Sequence, residues 1–249
     1  MKAWQIFVHS IRQVFGNLPE ALQISGLIYL AQMAASIAMG AAPNLMGTPE
    51  ADPTPGAALA IFVSALIFLL STLWIAVAWH RFVLTGERPA GYVPALQGGR
   101  VMRYAGRSIL IALVVIAMAG VLAIAFGGLY YALVASPEVA SLLTVLSVMV
   151  PILTVLYRLS AVLPGVALDR AVGFADGWVA TTGESGTILT LAFLSGVASI
   201  VMGIPLSLLA PGSLAALLWE VVAGWIQVMV SASILTTLYG HYIEKRPLV

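Results

Sequence analysis

Cysteine is absent from this chain. That excludes a disulfide framework, a cysteine nucleophile and thiolate metal sites. Charge is scarce. Only 8% of the 249 residues are Asp, Glu, Lys or Arg, where a soluble domain carries roughly a quarter. The net charge of +1 gives no electrostatic basis for nucleic-acid binding. Also missing are a zincin motif, a phosphate-binding glycine loop and a dinucleotide fingerprint. No cofactor is expected. The three histidines, His9, His80 and His241, lie on separate segments without ligand spacing, so no metal site is expected either.

What fills the chain is apolar residue, at 61%, with a mean hydropathy of +1.04. Soluble, disordered and fibrous classes are thereby excluded, and an all-α integral membrane protein is expected. A span needs about 20 apolar residues to cross roughly 30 Å of hydrocarbon. Six stretches qualify: 21–40, 57–79, 108–134, 141–163, 187–209 and 213–239. The last two are divided by Ala210-Pro211-Gly212, a turn signal. Pro151 and Pro205 are expected to kink their helices. The whole of 1–249 reads as one membrane domain.

With six crossings, all eleven lysines and arginines fall on one side or at that end of a helix. The opposite connections, 41–56, 135–140 and 210–212, carry Glu50, Asp52 and Glu138 instead. Under the positive-inside rule both termini are cytoplasmic. The first apolar run is broken by His9, Arg12 and Gln13, so no cleavable signal peptide is expected. Residues 3–16 read instead as an amphipathic interfacial helix. Trp4, Phe7, Val8, Ile11, Val14 and Phe15 form its apolar side, and Gln5, His9 and Arg12 lie opposite. Asn17 and Glu20 look like a capping pair opening the first span, with Pro19 in its first turn.

The chain can be divided into three hairpins, each preceded by an interfacial segment, at 3–16, 94–106 and 172–184. Arg100, Arg103 and Arg107 share one face of the second, a candidate surface for lipid headgroups or a partner membrane protein. Simple topology anchoring is the plain alternative. Three helices plus three, as in inverted-repeat transporters, finds no residue pattern here.

Small residues at spacings of four predict helix packing, at Ala119, Ala123 and Gly127 and again at Ser195, Ser199, Gly203 and Ser207. Polar residues inside the spans are Gln32, Arg158, Glu220 and Gln227. Ser25, Tyr29, Gln32 and Ser36 share one face of the first span, and Glu220, Gly224, Gln227 and Ser231 one face of the sixth. The antiparallel topology places these ladders at similar depth, which predicts that the two helices touch. Glu220 is the one carboxylate clearly within a span, a functional candidate by default. Gly183-Glu184-Ser185-Gly186 matches the G-x-S-G pattern of rhomboid proteases, with His241 on the same side.

Residues Tyr157-Arg158-Leu159-Ser160-Ala161-Val162-Leu163-Pro164, then Ala167-Leu168-Asp169-Arg170 and Phe174-Ala175-Asp176-Gly177-Trp178, resemble the arrangement in YciC-like bacterial membrane proteins. They are also similar to the membrane domain of some glycerophosphoryl diester phosphodiesterases. The segment 78–84 resembles the earlier helix end of the same families. The resemblance implies a bacterial inner membrane and a six-helix bundle. The soluble phosphodiesterase domain is absent, so no catalytic residue carries over. The leading expectation is a non-enzymatic membrane protein contacting lipid headgroups or a partner membrane protein. A small secondary transporter using Glu220 and kinked helices is the alternative, and a membrane hydrolase using Ser185 and His241 the third.

Overall fold

The structure is a computed structural model, and residues 2–40 and 55–248 are described. The acidic connection with Glu50 and Asp52 lies outside the described residues. The described residues are helical and without strands: α1 (Lys2–Phe15), α2 (Leu18–Ala38), α3 (Pro55–Thr85), α4 (Gly98–Leu133), α5 (Pro137–Ser160), α6 (Leu163–Ala167), α7 (Phe174–Ala180), α8 (Ser185–Leu208) and α9 (Leu214–Leu238). A π-helical turn, Tyr239–Ile243, extends α9. Six helices are long and apolar enough to cross a membrane: α2, α3, α4, α5, α8 and α9, with α5 and α9 each continued by the turn that follows. The chain is a multi-pass membrane protein.

Local chemistry sets the boundaries. Ser136 caps α5 by accepting from Val139 N, and Pro137 occupies its first turn. Ser213 caps α9 in the same way through Ala216 N. Gly212, at φ 74°, makes the turn between α8 and α9. Two expectations fail here. Residues 94–106 are not a separate interfacial element: α4 runs unbroken from Gly98, because no proline interrupts the arginine-bearing turns and a continuing helix keeps its backbone bonded. Asn17 does not cap α2 with its side chain; its Nδ2 donates to Gln13 O at 2.8 Å, and Glu20 pairs with Arg88 at 3.0 Å. Helices α5 and α8 both run on through Pro151 and Pro205.

Three hairpins result, α2–α3, α4–α5 and α8–α9. Helices α3, α4, α5, α8 and α9 form a closed circuit of contacts, each touching the next and α9 returning to α3. Helix α2 lies against α3 and α9, and α1 against α8 and α9. The short α6 sits against α3, α4 and α9, and its five residues are all buried.

The core gathers at one end, the end that carries the lysines and arginines and is called the basic end below. In α3 the buried residues run from Leu73 to Leu84, in α4 from Val101 to Ile111, and in α8 from Ile188 to Ala192. Water drives apolar burial and hydrocarbon does not. A tight core is therefore expected where the helices approach water, and the opposite halves present Ile116, Ile124, Leu133, Ile200 and Leu208 outward.

The small-residue stripes behave differently from one another. Gly127 approaches Thr144 across the α4–α5 hairpin, where an added Cβ would lie 3.7 Å from Cγ2. In α8, by contrast, Ser199, Gly203 and Ser207 are exposed, and Ile188, Leu191 and Ala192 are the buried residues. In a helix apolar all round, residue size alone does not fix which face turns inward.

Helix α1 divides into three sectors. Ala3, Ile6, Phe7, Ser10 and Val14 are buried against the bundle. Ser10 and Thr237 hydroxyls meet at 3.0 Å, and Ser233 Oγ donates to Gln13 Oε1 at 2.5 Å. Trp4 and Phe15, expected on the same side as Phe7 and Val14, are instead 55% and 45% exposed, with Val8 and Ile11 between them on the helix surface. Lys2, Gln5, His9 and Arg12 make the polar remainder.

Candidate functional site at the basic end

Two arginines of the predicted face converge on one carboxylate. Arg100 Nε donates to Asp169 Oδ2 at 2.5 Å, and Arg103 Nη2 binds Asp169 Oδ1. Asp169 follows α6 and takes φ 59°, a left-handed turn that Asp tolerates better than most residues. The hydrogen bond from Arg100, joined by that from Arg103, holds its carboxyl below the usual carboxylate range. Arg107 does not join them. Its guanidinium lies 5.0 Å over the Phe174 ring at the start of α7.

Arg103, Arg107, Asp169 and Arg170 line an open cavity of about 850 Å³, together with Val166, Val172 and Gly173. Arg170 also binds Glu244 at 2.7 Å, which Arg246 shares at 2.6 Å. The cavity therefore presents three guanidinium groups and one carboxylate at its rim. Such planar, bidentate donors suit a phosphate oxygen pair.

Two other carboxylates at this end are held ionised by neighbours. Arg81 hydrogen-bonds Glu87, lowering its pKa, and Gln97 adds a bond of 2.9 Å. Lys2 binds Glu184 and lowers it in the same sense, with Thr187 Oγ1 donating at 2.8 Å. Glu87 and Arg81 face a smaller cavity of about 190 Å³ between α2, α3 and the connection to α4.

Arg158, expected inside a span, stands in the last turn of α5 and is only 7% exposed. Its Nη2 donates to Ser185 Oγ at 2.5 Å, and its guanidinium carbon lies 4.7 Å over the Trp178 ring. Gly177 allows this junction: a Cβ there would lie 2.7 Å from Arg158 O and 2.8 Å from Val162 Cγ1. The hydrolase pair does not assemble. Ser185 is bound to Arg158, and His241 Nδ1 contacts Arg246 O at 3.2 Å; no hydrogen bond joins Ser185 to His241 among the described residues.

The other span residues divide. Helices α2 and α9 touch, as their ladders predict, and at a similar depth, but with Trp225 rotated into the seam where Gln227 was expected. Trp225 Nε1 donates to Ser25 Oγ at 2.7 Å, and Tyr29 OH presses on the bare Cα of Gly224. Glu220 is half-buried. Gln32 is buried with Oε1 unbonded among the described residues. Gln227 and Ser231 are exposed. Trp225 displaces them because an indole can fill the seam and still satisfy a buried hydroxyl.

Sequence reading missed His80. It is fully buried, with Nδ1 2.8 Å from Thr236 Oγ1 and Nε2 3.0 Å from Tyr104 OH. Thr236 spends its proton on Ala232 O at 2.8 Å. It must therefore accept from His80 Nδ1–H, which makes Nε2 the acceptor from Tyr104. This neutral imidazole ties α3 to α4 and α9. The signal was an imidazole between Trp79 and Arg81 near a helix end, which equally fits an interfacial anchor.

No protein-family model, curated protein or solved structure matches the chain.

Proposed function

We propose that this is a non-enzymatic protein of the bacterial inner membrane, with both termini cytoplasmic, whose basic end binds anionic phospholipid headgroups. The observation that carries the reading is the open cavity with Arg103, Arg107 and Arg170 at its rim against the single carboxylate of Asp169. Arg100 takes part from outside the cavity, by sharing Asp169 with Arg103. The sectors of α1 support the same placement. A helix with one face on protein, one of Trp4 and Phe15, and one of Lys2 and Arg12 suits a membrane–water boundary. The resemblance of 157–178 to YciC-like proteins agrees with it.

The test is headgroup selection in nanodiscs of mixed phosphatidylglycerol and phosphatidylcholine, read by mass spectrometry of the lipids retained. One basic side chain near anionic lipid contributes about 1 kcal/mol, or roughly fivefold. Arg103→Gln with Arg107→Gln should lower phosphatidylglycerol enrichment about tenfold or more. Unchanged enrichment in the folded double variant refutes the proposal. Glu220→Gln should leave enrichment untouched; loss of a proton-coupled uptake in that variant would favour the transporter reading instead.

A further inference from the structure

Arg158 is a guanidinium buried to more than nine-tenths, and no carboxylate among the described residues pairs with it. Arginine cannot shed its proton to escape this cost. Among the described residues its Nε has no partner, Ser185 supplies only a neutral hydroxyl, and Trp178 covers one face of the guanidinium. Glu184, which precedes Ser185, is engaged by Lys2 and Thr187, and Asp169 by Arg100 and Arg103. The carbonyl end of α5 offsets part of the charge, but Gly177 of α7 packs directly on the carbonyl of Arg158 itself.

What faces the arginine favours an anion. Ser185 opens the 24-residue α8. The first bond of that helix runs from Ile188 N to Glu184 O, so the amides of Ser185, Gly186 and Thr187 precede it. The space beside Gly186 is open. Ser185 Oγ accepts from Arg158, which leaves its own proton to donate outward. Beside it, stacked under the Arg158 guanidinium, stands Trp178, 43% exposed, an apolar surface at the edge of the site.

We infer that Arg158, Ser185 and the first amides of α8 hold a phosphate group, that of a phospholipid whose glycerol end rests on Trp178. The phosphate supplies the missing counter-ion. The site lies on α5, α7 and α8, apart from the α4 cavity, and does not depend on the reading proposed for that cavity.

The full chain in detergent is titrated with brominated phosphatidylglycerol, and separately with inorganic phosphate. Bromine quenches nearby indole, so the site is read as the quenching present in the wild-type protein and missing in Trp178→Phe. Native mass spectrometry counts the phospholipid retained. The expected result is one phospholipid whose retention needs Arg158, beside any held by the α4 cavity, with Trp178-dependent quenching. Arg158→Met should abolish both, Arg158→Lys should weaken retention, and Ser185→Ala should weaken it about threefold or more. Stabilisation by inorganic phosphate that needs Arg158, without quenching, would keep the phosphate site and assign it to a soluble phosphate ester. If Arg158→Met does not fold, Arg158→Lys and Ser185→Ala decide. Retention and quenching equal to wild type in both variants overturn the inference. Arg103→Gln with Arg107→Gln should retain this phospholipid, which separates the two sites.

Discussion

His80 offers the sharpest test of the packing. Replacing it with Leu removes two hydrogen bonds and strands the Tyr104 hydroxyl, whose residue is only 3% exposed. Thr236 keeps its bond to Ala232 O, so one orphan results, not two. Two lost bonds plus one stranded donor amount to about 2–4 kcal/mol. Tyr104→Phe alone leaves Nε2 without its donor and should cost about 1–2 kcal/mol. In the double variant neither partner remains to be stranded. Its loss should therefore fall short of the sum of the single losses by about 1–2 kcal/mol. Reversible unfolding in mixed micelles by increasing sodium dodecyl sulfate, followed by circular dichroism, gives all three values. Losses that add to within about 0.5 kcal/mol would mean that the imidazole and phenol are not coupled. The tautomer assignment and the tie between α3 and α4 would then both fall.

Gly177→Ala forces a methyl group against the backbone of Arg158 and should destabilise the protein by about 1–3 kcal/mol, measured in the same unfolding assay; Gly186→Ala, beside open space, serves as the control. Asp169, Glu87 and Glu184 have folded pKa values lowered by their cationic or hydrogen-bonding neighbours. Their contribution is complete above the ordinary carboxylate range near pH 4 and is lost as pH falls through the lowered values. Thermal unfolding between pH 7 and pH 3 should thus weaken with acid, and Asp169→Asn should flatten part of that dependence. An identical acid profile in the variant would contradict the assignment. Trp225→Phe strands no acceptor beyond Ser25, which still donates to Ala21 O, so a loss of about 1 kcal/mol is expected. A loss near that of a stripped core aromatic would show that the seam rests on indole volume.

The six crossings were legible because hydrocarbon thickness imposes a length that apolar runs either reach or miss. The α2–α9 contact was legible for a related reason: polar side chains in lipid seek one another. Rotation about each helix axis was not. In a helix apolar on every side, nothing in the spacing distinguishes lipid from neighbour, and Ser199, Gly203 and Gln227, which spacing alone turns inward, are exposed. The site residues show a second limit. Asp169 meets Arg100 and Arg103 across more than sixty residues of chain, and His80 meets Thr236 across 156. The face of Arg100, Arg103 and Arg107 was correct as a face of α4, but the carboxylate that shares two of them belongs to the turn after α6. Arg158 does fall within the fourth apolar stretch, but near its basic end, where the guanidinium is enclosed by α7 and α8, and no spacing within α5 foretells those neighbours.

All three hairpins are bound to one another chiefly near the same end, around Trp79, Tyr104 and Leu191. Such a molecule resembles three stiff tongs fastened at the hinge. Local stability follows the density of buried contacts, so the outer ends of α4, α5 and α8, the described tips, are expected to open at lower free energy than the fastening. A bilayer thinner or thicker than the helices is accommodated by the tips, and the arginine-lined surfaces keep their geometry while the membrane around them changes.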